Sequence, residues 1–108
     1  MTNYLLIESR DPFENGEVLN DYEMAVNLAE SGHHVTVFLV QNGVLPARNT
    51  VNNKAFASLL NSKVETMADD FSLRERGISA AQLSEKVRMA PIDMVVDQLA
   101  EGHKAIWL

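Results

Sequence analysis

The sequence predicts an α/β fold, specifically a three-layer α/β/α sandwich with a mostly parallel sheet of about five strands. Short apolar runs rich in β-branched residues recur along the chain, and stretches with helical spacing of apolar residues separate them. The connections between these stretches are short. Successive units of strand, helix and strand place their strands parallel, with right-handed crossovers. With 108 residues the chain fills one hydrophobic core, so we expect a single domain over residues 1–108.

Five stretches have the composition of strands. Each is either dominated by Val, Ile, Leu or Phe or contains β-branched residues. The pattern is weakest in the third stretch, and the fourth has about the minimum length of a strand. These stretches cover residues 4–7, 35–40, 63–68, 87–90 and 104–108.

Apolar residues recur at helical spacing between the strands. Gly32 and Gly77 are placed to end the first and third helices. Asn49 or Thr50 can cap the second helix, and Pro91 suits the first turn of the last one. The helical stretches cover residues 18–29, 51–60, 70–76 and 91–101. Residues 79–86 fit either a short helix or a loop. The composition of residues 8–16 and 44–48 predicts exposed loops.

The alternation along the strands and the stripes along the helices predict which side chains are buried. The predicted core contains Leu5, Ile7, Val26, Val37, Leu39, Phe56, Leu60, Val95 and Ile106.

Composition and charge argue against several classes of function. The net charge of −6 repels phosphate backbones, so we expect no nucleic-acid partner. No apolar run approaches the roughly 18 residues that a membrane span needs, and no basic segment precedes an apolar core at the N-terminus. We therefore expect a cytoplasmic protein without a membrane partner. The absence of cysteine excludes disulfides, thiolate metal sites and a cysteine nucleophile.

The histidines and glycines give no sign of a metal or cofactor site. His33 and His34 are adjacent, so their side chains would leave opposite faces of a strand, and His103 stands alone before the last strand. No glycine-rich phosphate loop and no Gly-x-Ser-x-Gly sequence is present. We therefore predict neither a metal nor a cofactor.

Polar side chains follow three of the predicted strands at their carboxyl ends. In a parallel sheet these ends share one edge, so the loops at residues 8–16, 41–50 and 69–72 should form one crevice that also includes Glu8. Asp69 and Asp70 are the candidate catalytic residues. The candidate ligand-binding residues are Arg10, Asn42, Gly43, Arg48 and Ser72.

These residues also have structural interpretations. One of the two aspartates can cap the short helix while the other interacts favourably with the helix dipole, and general principles favour this alternative over a catalytic role. Arg48 can form an ordinary surface ion pair, which contributes little to stability. Arg74 and Arg76, with Glu75 between them, suit a solvated or intersubunit face better than an active site.

The order and spacing of four stretches are similar to those of a known family, and the similarity covers nearly the whole chain. These stretches are residues 4–7, 25–40, 41–44 and 68–78. In these stretches the chain resembles the DsrE/DsrF-like family, to which sulfur-relay subunits of the TusBCD type belong. The resemblance implies a compact α/β/α domain that assembles into dimers, trimers or hexamers. Relatives active in sulfur relay carry a persulfide-forming cysteine at the end of the third strand, before a short helix that ends in Arg-Gly. Asp69 or Asp70 holds that place here.

The missing cysteine decides which function the resemblance implies. A carboxylate cannot carry a persulfide, because that chemistry requires a polarizable thiolate. We therefore expect a non-catalytic accessory or scaffold subunit related to sulfur relay, whose partners are copies of itself, related subunits or a sulfur-carrier protein. The alternative is a small-ligand-binding protein or weak enzyme in which Asp69 and Asp70 form a carboxylate pair, since mutual repulsion raises the pKa of one member.

Overall fold

The computed structural model describes residues 2–108, which form a five-stranded sheet flanked by four α-helices. The strands are β1 (Asn3–Glu8), β2 (His34–Leu39), β3 (Glu65–Asp69), β4 (Arg88–Ala90) and β5 (Lys104–Trp107). The helices are α1 (Glu17–Glu30), α2 (Lys54–Leu60), α3 (Asp70–Glu75) and α4 (Asp93–Ala100). The strand order is β4-β3-β2-β1-β5, and every neighbouring pair is parallel. The predicted α/β fold is confirmed.

The helices lie on both faces of the sheet because of the direction in which the chain crosses it. The chain steps from β1 to β2 to β3 in one direction, so right-handed crossovers put α1 and α2 on the same face. The segment that contains α4 returns across the whole sheet to β5 and therefore covers the opposite face. Two clusters of buried side chains result, with Leu6 beneath α1 and α2 and with Leu5 and Ile7 packed with Val95 of α4.

Two predicted boundaries differ in the structure, and the alternatives of a short helix or a loop over residues 79–86 are now decided. Asn53, and not Asn49 or Thr50, caps α2, because the helix begins later and the Asn53 Oδ1 atom accepts a hydrogen bond of 2.9 Å from the Phe56 amide. The segment predicted as a loop over residues 44–48 belongs instead largely to a 3-10 helix, Gln41–Ala47. Residues 79–86 contain only a short 3-10 turn, Ala80–Gln82.

Most of the predicted core is confirmed. Leu5, Ile7, Val37, Leu39, Phe56 and Val95 are buried. Val26 and Leu60 are only partly buried, at the margin of the core beneath α1 and α2. Ile106 was predicted to be buried, and this is wrong: its side chain is 38% exposed because β5 is an edge strand whose residues are all exposed.

The first polar loop also differs from its prediction. Glu8 belongs to β1 and is fully buried, and Asp11 is buried as well.

Among residues 2–108, no helix is long and apolar enough to cross a membrane.

Candidate functional site

A cleft of about 460 Å³ opens at the carboxyl edge of the sheet, between the ends of β2 and β3 and the start of α3. This is the edge at which ligands collect in parallel α/β sheets. The walls come from the loop after β1, the 3-10 helix after β2 and the first turns of α3. The lining residues are Ser9, Gln41, Asn42, Asp69, Phe71, Ser72, Glu75 and Arg76.

Asp69 is the last residue of β3 and the cap of α3. Its Oδ2 atom accepts a hydrogen bond of 3.0 Å from the Ser72 amide and one of 2.7 Å from the Ser72 hydroxyl. Both side chains are buried. The capping interpretation of Asp69 is therefore confirmed, and the same carboxylate lies in the wall of the cleft.

Asp70 has different surroundings from its neighbour. It is the first residue of α3, and its Oδ2 atom lies 3.8 Å from the Arg74 Nη1 atom one turn along the helix. It is not among the residues that line the cleft. The two candidate catalytic residues thus contact different partners.

Ser72 connects the two sides of the cleft. Its hydroxyl donates to Asp69 and accepts a hydrogen bond of 2.8 Å from the Gln41 amide. Gln41 has a φ of 51°, a left-handed conformation that costs a residue other than glycine about 1 kcal/mol or more. The hydrogen bond from Ser72 helps to hold this strained residue at the end of β2.

Arg76 and Asn42 form the far wall. The Arg76 Nε atom donates to the Asn42 Oδ1 atom at 3.1 Å, and its Nη1 atom donates to the Ser72 carbonyl at 3.2 Å. Arg76 lines the cleft, although its sequence context favours a solvated or intersubunit face. Its spacing of four residues from Ser72 on a helix was the signal that could have identified it.

Gly43, Arg10 and Arg48 lie outside the cleft. Gly43 is buried against β1, where an added Cβ atom would lie 2.3 Å from the Glu8 carbonyl oxygen, so its role is to allow close backbone packing. The Arg10 Nη2 atom is 2.8 Å from the Asp21 Oδ2 atom on α1. The Arg48 Nε atom donates to the Leu45 carbonyl at 2.8 Å. Of the predicted ligand-binding residues, the structure therefore brings only Asn42 and Ser72 to Asp69.

Glu8 has the most unusual environment of the predicted crevice residues. Its Oε2 atom accepts hydrogen bonds from the amides of Ser9 and Arg10, at 2.9 and 3.2 Å. Burial, reinforced by the Asp21 carboxyl group beside it, raises the pKa of Glu8 from its ordinary 4.5 to about 7, although contacts with Arg10 oppose the shift. Burial also raises the pKa of the neighbouring Tyr22 hydroxyl. The sequence contains a sign of this burial. Side chains two residues apart in a strand lie on the same face of the sheet, so Glu8 shares the face of the apolar residue Leu6.

A comparison with protein families matches residues 2–108 to the model described as the DsrE/DsrF-like family. The chain belongs to the DsrE/DsrF-like family. The resemblance found in the sequence is thereby confirmed. No curated protein matches the chain.

Solved structures show the same fold. The chain is similar to MTH1491, a protein of unknown function from Methanobacterium thermoautotrophicum, with a TM-score of 0.84 and 20% identity over 100% of both chains. It is equally similar to the ychN protein from E. coli, with a TM-score of 0.84 and 17% identity, again over 100% of both chains. BT1422 from Bacteroides thetaiotaomicron matches with a TM-score of 0.79 and 18% identity, over 98% of this chain and 94% of its own.

This DsrE/DsrF-like chain has no cysteine anywhere in its 108 residues. Its cleft instead contains two carboxylates, the hydroxyls of Ser9 and Ser72, two side-chain amides and one guanidinium group. Within residues 2–108, no group of three or more His, Asp or Glu side chains is placed to hold a metal ion. Such a cleft can form hydrogen bonds with a polar ligand or a partner's backbone, but it offers no sulfur nucleophile.

Proposed function

We propose that this protein is a non-catalytic, cytoplasmic accessory subunit of the DsrE/DsrF-like family that supports sulfur relay through its surface. The observation that carries the proposal is the buried carboxylate of Asp69 at the end of β3, bonded twice to Ser72 in a chain without cysteine. Sulfur-relaying relatives carry their cysteine at the end of the third strand before a short helix. We infer that Asp69, rather than Asp70, replaces it.

The chemistry of this position supports an accessory role. A persulfide forms on a thiolate, whose polarizable sulfur attacks and then holds the transferred sulfur atom. Asp69 has no such atom, and its carboxylate is already committed to the first turn of α3. The fold and the cleft remain, so a partner that recognises the shape of this edge can still bind to it.

Sulfur loading tests the non-catalytic part of the proposal. We expect the wild-type protein to acquire no persulfide from a persulfide donor, as measured by mass spectrometry of the intact protein. Asp69→Cys should acquire one, because a thiol at a helix N-terminus has a lowered pKa. Asp70→Cys is the matched control, because Asp70 also lies at the start of α3 but does not line the cleft, and it should load less. If Asp69→Cys loaded no more persulfide than Asp70→Cys, the carboxylate at position 69 would not explain why this site is non-catalytic.

Co-purification tests the accessory part. We expect the tagged protein to retain a sulfur-carrier protein or a related DsrE/DsrF-like subunit from cell extract. A cysteine-bearing relative purified in parallel shows that the conditions preserve such complexes. If the relative retains these partners and this protein retains none, the accessory role is wrong.

We also infer that the chain assembles with copies of itself or with related subunits. Ile92, at the N-cap of α4, and Val96 and Leu99 within the helix recur at helical spacing and are 52%, 64% and 49% exposed. Trp107 on the edge strand β5 is 65% exposed. Large apolar side chains in such an arrangement are typical of protein interfaces.

A second candidate function is the binding of a small polar ligand, or weak catalysis, in the cleft. Its volume of about 460 Å³ lies in the usual range of ligand sites, and polar groups from three segments converge on it. Ligand screening and activity profiling of the wild type, Asp69→Ala and Asp70→Ala test this candidate. Identical profiles for all three proteins would rule out the carboxylate pair.

A further inference from the structure

A second, smaller pocket of about 240 Å³ shares Arg76 with the cleft. Its walls come from the segment after the 3-10 helix Gln41–Ala47, the end of α3 and the short turn Ala80–Gln82. Arg48 and Arg76 both line it, together with Asn49, Thr50, Gly77, Ile78 and Gln82. No acidic side chain of residues 2–108 is in its lining.

The two arginines of this pocket differ in their surroundings from the other three arginines of the chain. Arg10, Arg74 and Arg88 each have a carboxylate within salt-bridge range. In the part of the chain that the structure describes, neither Arg48 nor Arg76 has such a partner. This is notable in a protein with 15 acidic and 9 basic residues, where a guanidinium group readily meets a carboxylate.

Each of the two arginines donates hydrogen bonds to neighbouring groups and keeps other donors available. The Arg48 Nε atom donates to the Leu45 carbonyl, so its two terminal amino groups remain available. Arg76 uses its Nε and Nη1 atoms towards Asn42 and the Ser72 carbonyl, which leaves the Nη2 atom. Both arginines line the pocket, so an anion in it would be attracted by two positive charges.

The walls of the pocket are also held in place. The Asn49 amide donates to the Gln82 carbonyl at 2.8 Å, and the Asn49 side chain donates to the Ala81 carbonyl at 3.0 Å. Arg48 and Leu83 form an antiparallel bridge. These contacts join the segment that carries Arg48 to the turn that carries Gln82, so the pocket does not need to be assembled by its ligand.

We propose that this pocket binds a tetrahedral oxyanion, sulfate or phosphate, between the guanidinium groups of Arg48 and Arg76. Planar guanidinium groups bind such oxygens through paired, charge-assisted hydrogen bonds. Thr50 and Gln82 also line the pocket, and a hydroxyl and a side-chain amide are neutral hydrogen-bond donors. The pocket is smaller than the usual site of a drug-sized ligand, which suits a small anion or the phosphate group of a larger molecule. This inference goes beyond the proposed function, and Arg48, whose substitution decides it, does not line the cleft.

An NMR titration of the full chain with sodium sulfate and with sodium phosphate, at constant ionic strength set with sodium chloride, tests the proposal. We expect saturable shifts of the backbone amides of Asn49, Thr50 and Gly77. Arg48→Gln should weaken binding by roughly tenfold or more, because a hydrogen bond to a charged group is lost. Arg48→Lys keeps the positive charge but loses the planar, paired donors of the guanidinium group. Its affinity for the anion should lie between those of wild type and Arg48→Gln.

Arg74→Gln is the matched control, because it removes one positive charge from the exposed face of α3 outside the pocket. It should bind like the wild type. Arg76→Gln should bind as weakly as Arg48→Gln, and if loss of its contact with Asn42 unfolds the chain, Arg48→Gln alone still decides the result. Absence of saturable shifts, or equal binding by Arg48→Gln and Arg74→Gln, would overturn the proposal.

Glycerol phosphate distinguishes the two sources of the anion. Binding tighter than that of inorganic phosphate, with the same dependence on Arg48, identifies a phosphate ester as the ligand. Equal or weaker binding identifies the free anion. Binding of the ester that is unaffected by Arg48→Gln counts against the pocket.

Discussion

Asp69 and Asp70 are adjacent in the chain, but only Asp69 holds buried polar groups together. Its carboxylate accepts from the amide and the hydroxyl of Ser72. Asp70 lies on a half-exposed face near Arg74. We predict that Asp69→Ala lowers the free energy of unfolding by about 1–2 kcal/mol, because it removes a helix cap.

Asp70→Ala is the comparison, and it should lower the free energy of unfolding by about 0.5 kcal/mol or less, the usual contribution of a surface ion pair. Urea unfolding monitored by circular dichroism measures both values. Equal losses in the two variants would show that the cap does not stabilise the chain.

Glu8 makes the stability of the protein depend on pH. The folded protein keeps the Glu8 proton up to a pKa of about 7, whereas the unfolded chain releases it near 4.5. Between these values the folded state binds more protons, so its stability falls as the pH rises, by up to about 3 kcal/mol. We predict that Glu8→Gln, which mimics the protonated acid, removes most of this fall and is more stable than wild type at pH 8.

Unfolding in urea at a series of pH values from 4 to 8 measures this dependence. Glu17→Gln is the control, because Glu17 is an exposed carboxylate beside Arg10, the arginine that also lies near Glu8. This variant should keep the wild-type dependence of stability on pH. Parallel profiles for wild type and Glu8→Gln would mean that Glu8 is ionised in the folded protein at neutral pH.

Among the elements, the contact between the 3-10 helix Gln41–Ala47 and the end of β1 tolerates no side chain at Gly43. A Cβ atom there would lie 2.3 Å from the Glu8 carbonyl oxygen, which accepts a hydrogen bond from the Val40 amide. We predict that Gly43→Ala destabilises the protein by about 1–3 kcal/mol, since backbone must move to relieve the overlap.

Gly16→Ala provides the control for this prediction. No atom lies within 4 Å of an added Cβ at Gly16, and its φ of −66° suits any residue. Its free energy of unfolding should change by less than about 0.5 kcal/mol. If both alanine variants were equally stable, the close approach at Gly43 would not constrain the fold.

At the scale of the whole molecule, the exposed stripe of α4 predicts self-association. We expect the wild-type protein to elute as an oligomer in size-exclusion chromatography with light scattering. Val96→Glu should shift it towards the monomer, because a charge buried in an apolar interface is strongly unfavourable.

Leu19→Glu is the matched control on α1, where the side chain is also exposed and apolar. It should leave the oligomer unchanged. A monomeric wild type, or equal dissociation by both variants, would contradict an interface at α4.

The sequence predicts the succession of strands and helices along the chain, the identity of most core residues and the turn from β3 through Asp69 into α3. These features depend on periodicity and on hydrogen bonds between residues that are close in the chain, as Asp69 and Ser72 are. The family was a resemblance to known sequences, and the match over residues 2–108 confirmed it.

Only the tertiary structure decided which side chains share the cleft and which strand lies at the edge. Arg76 meets Asn42 across 34 residues and Ser72 meets Gln41 across 31, while Arg48 and Arg10 turn to other partners. Ile106 is exposed because β5 pairs on one side only. Such pairings depend on how separate elements pack, and local hydrophobic patterns do not encode them.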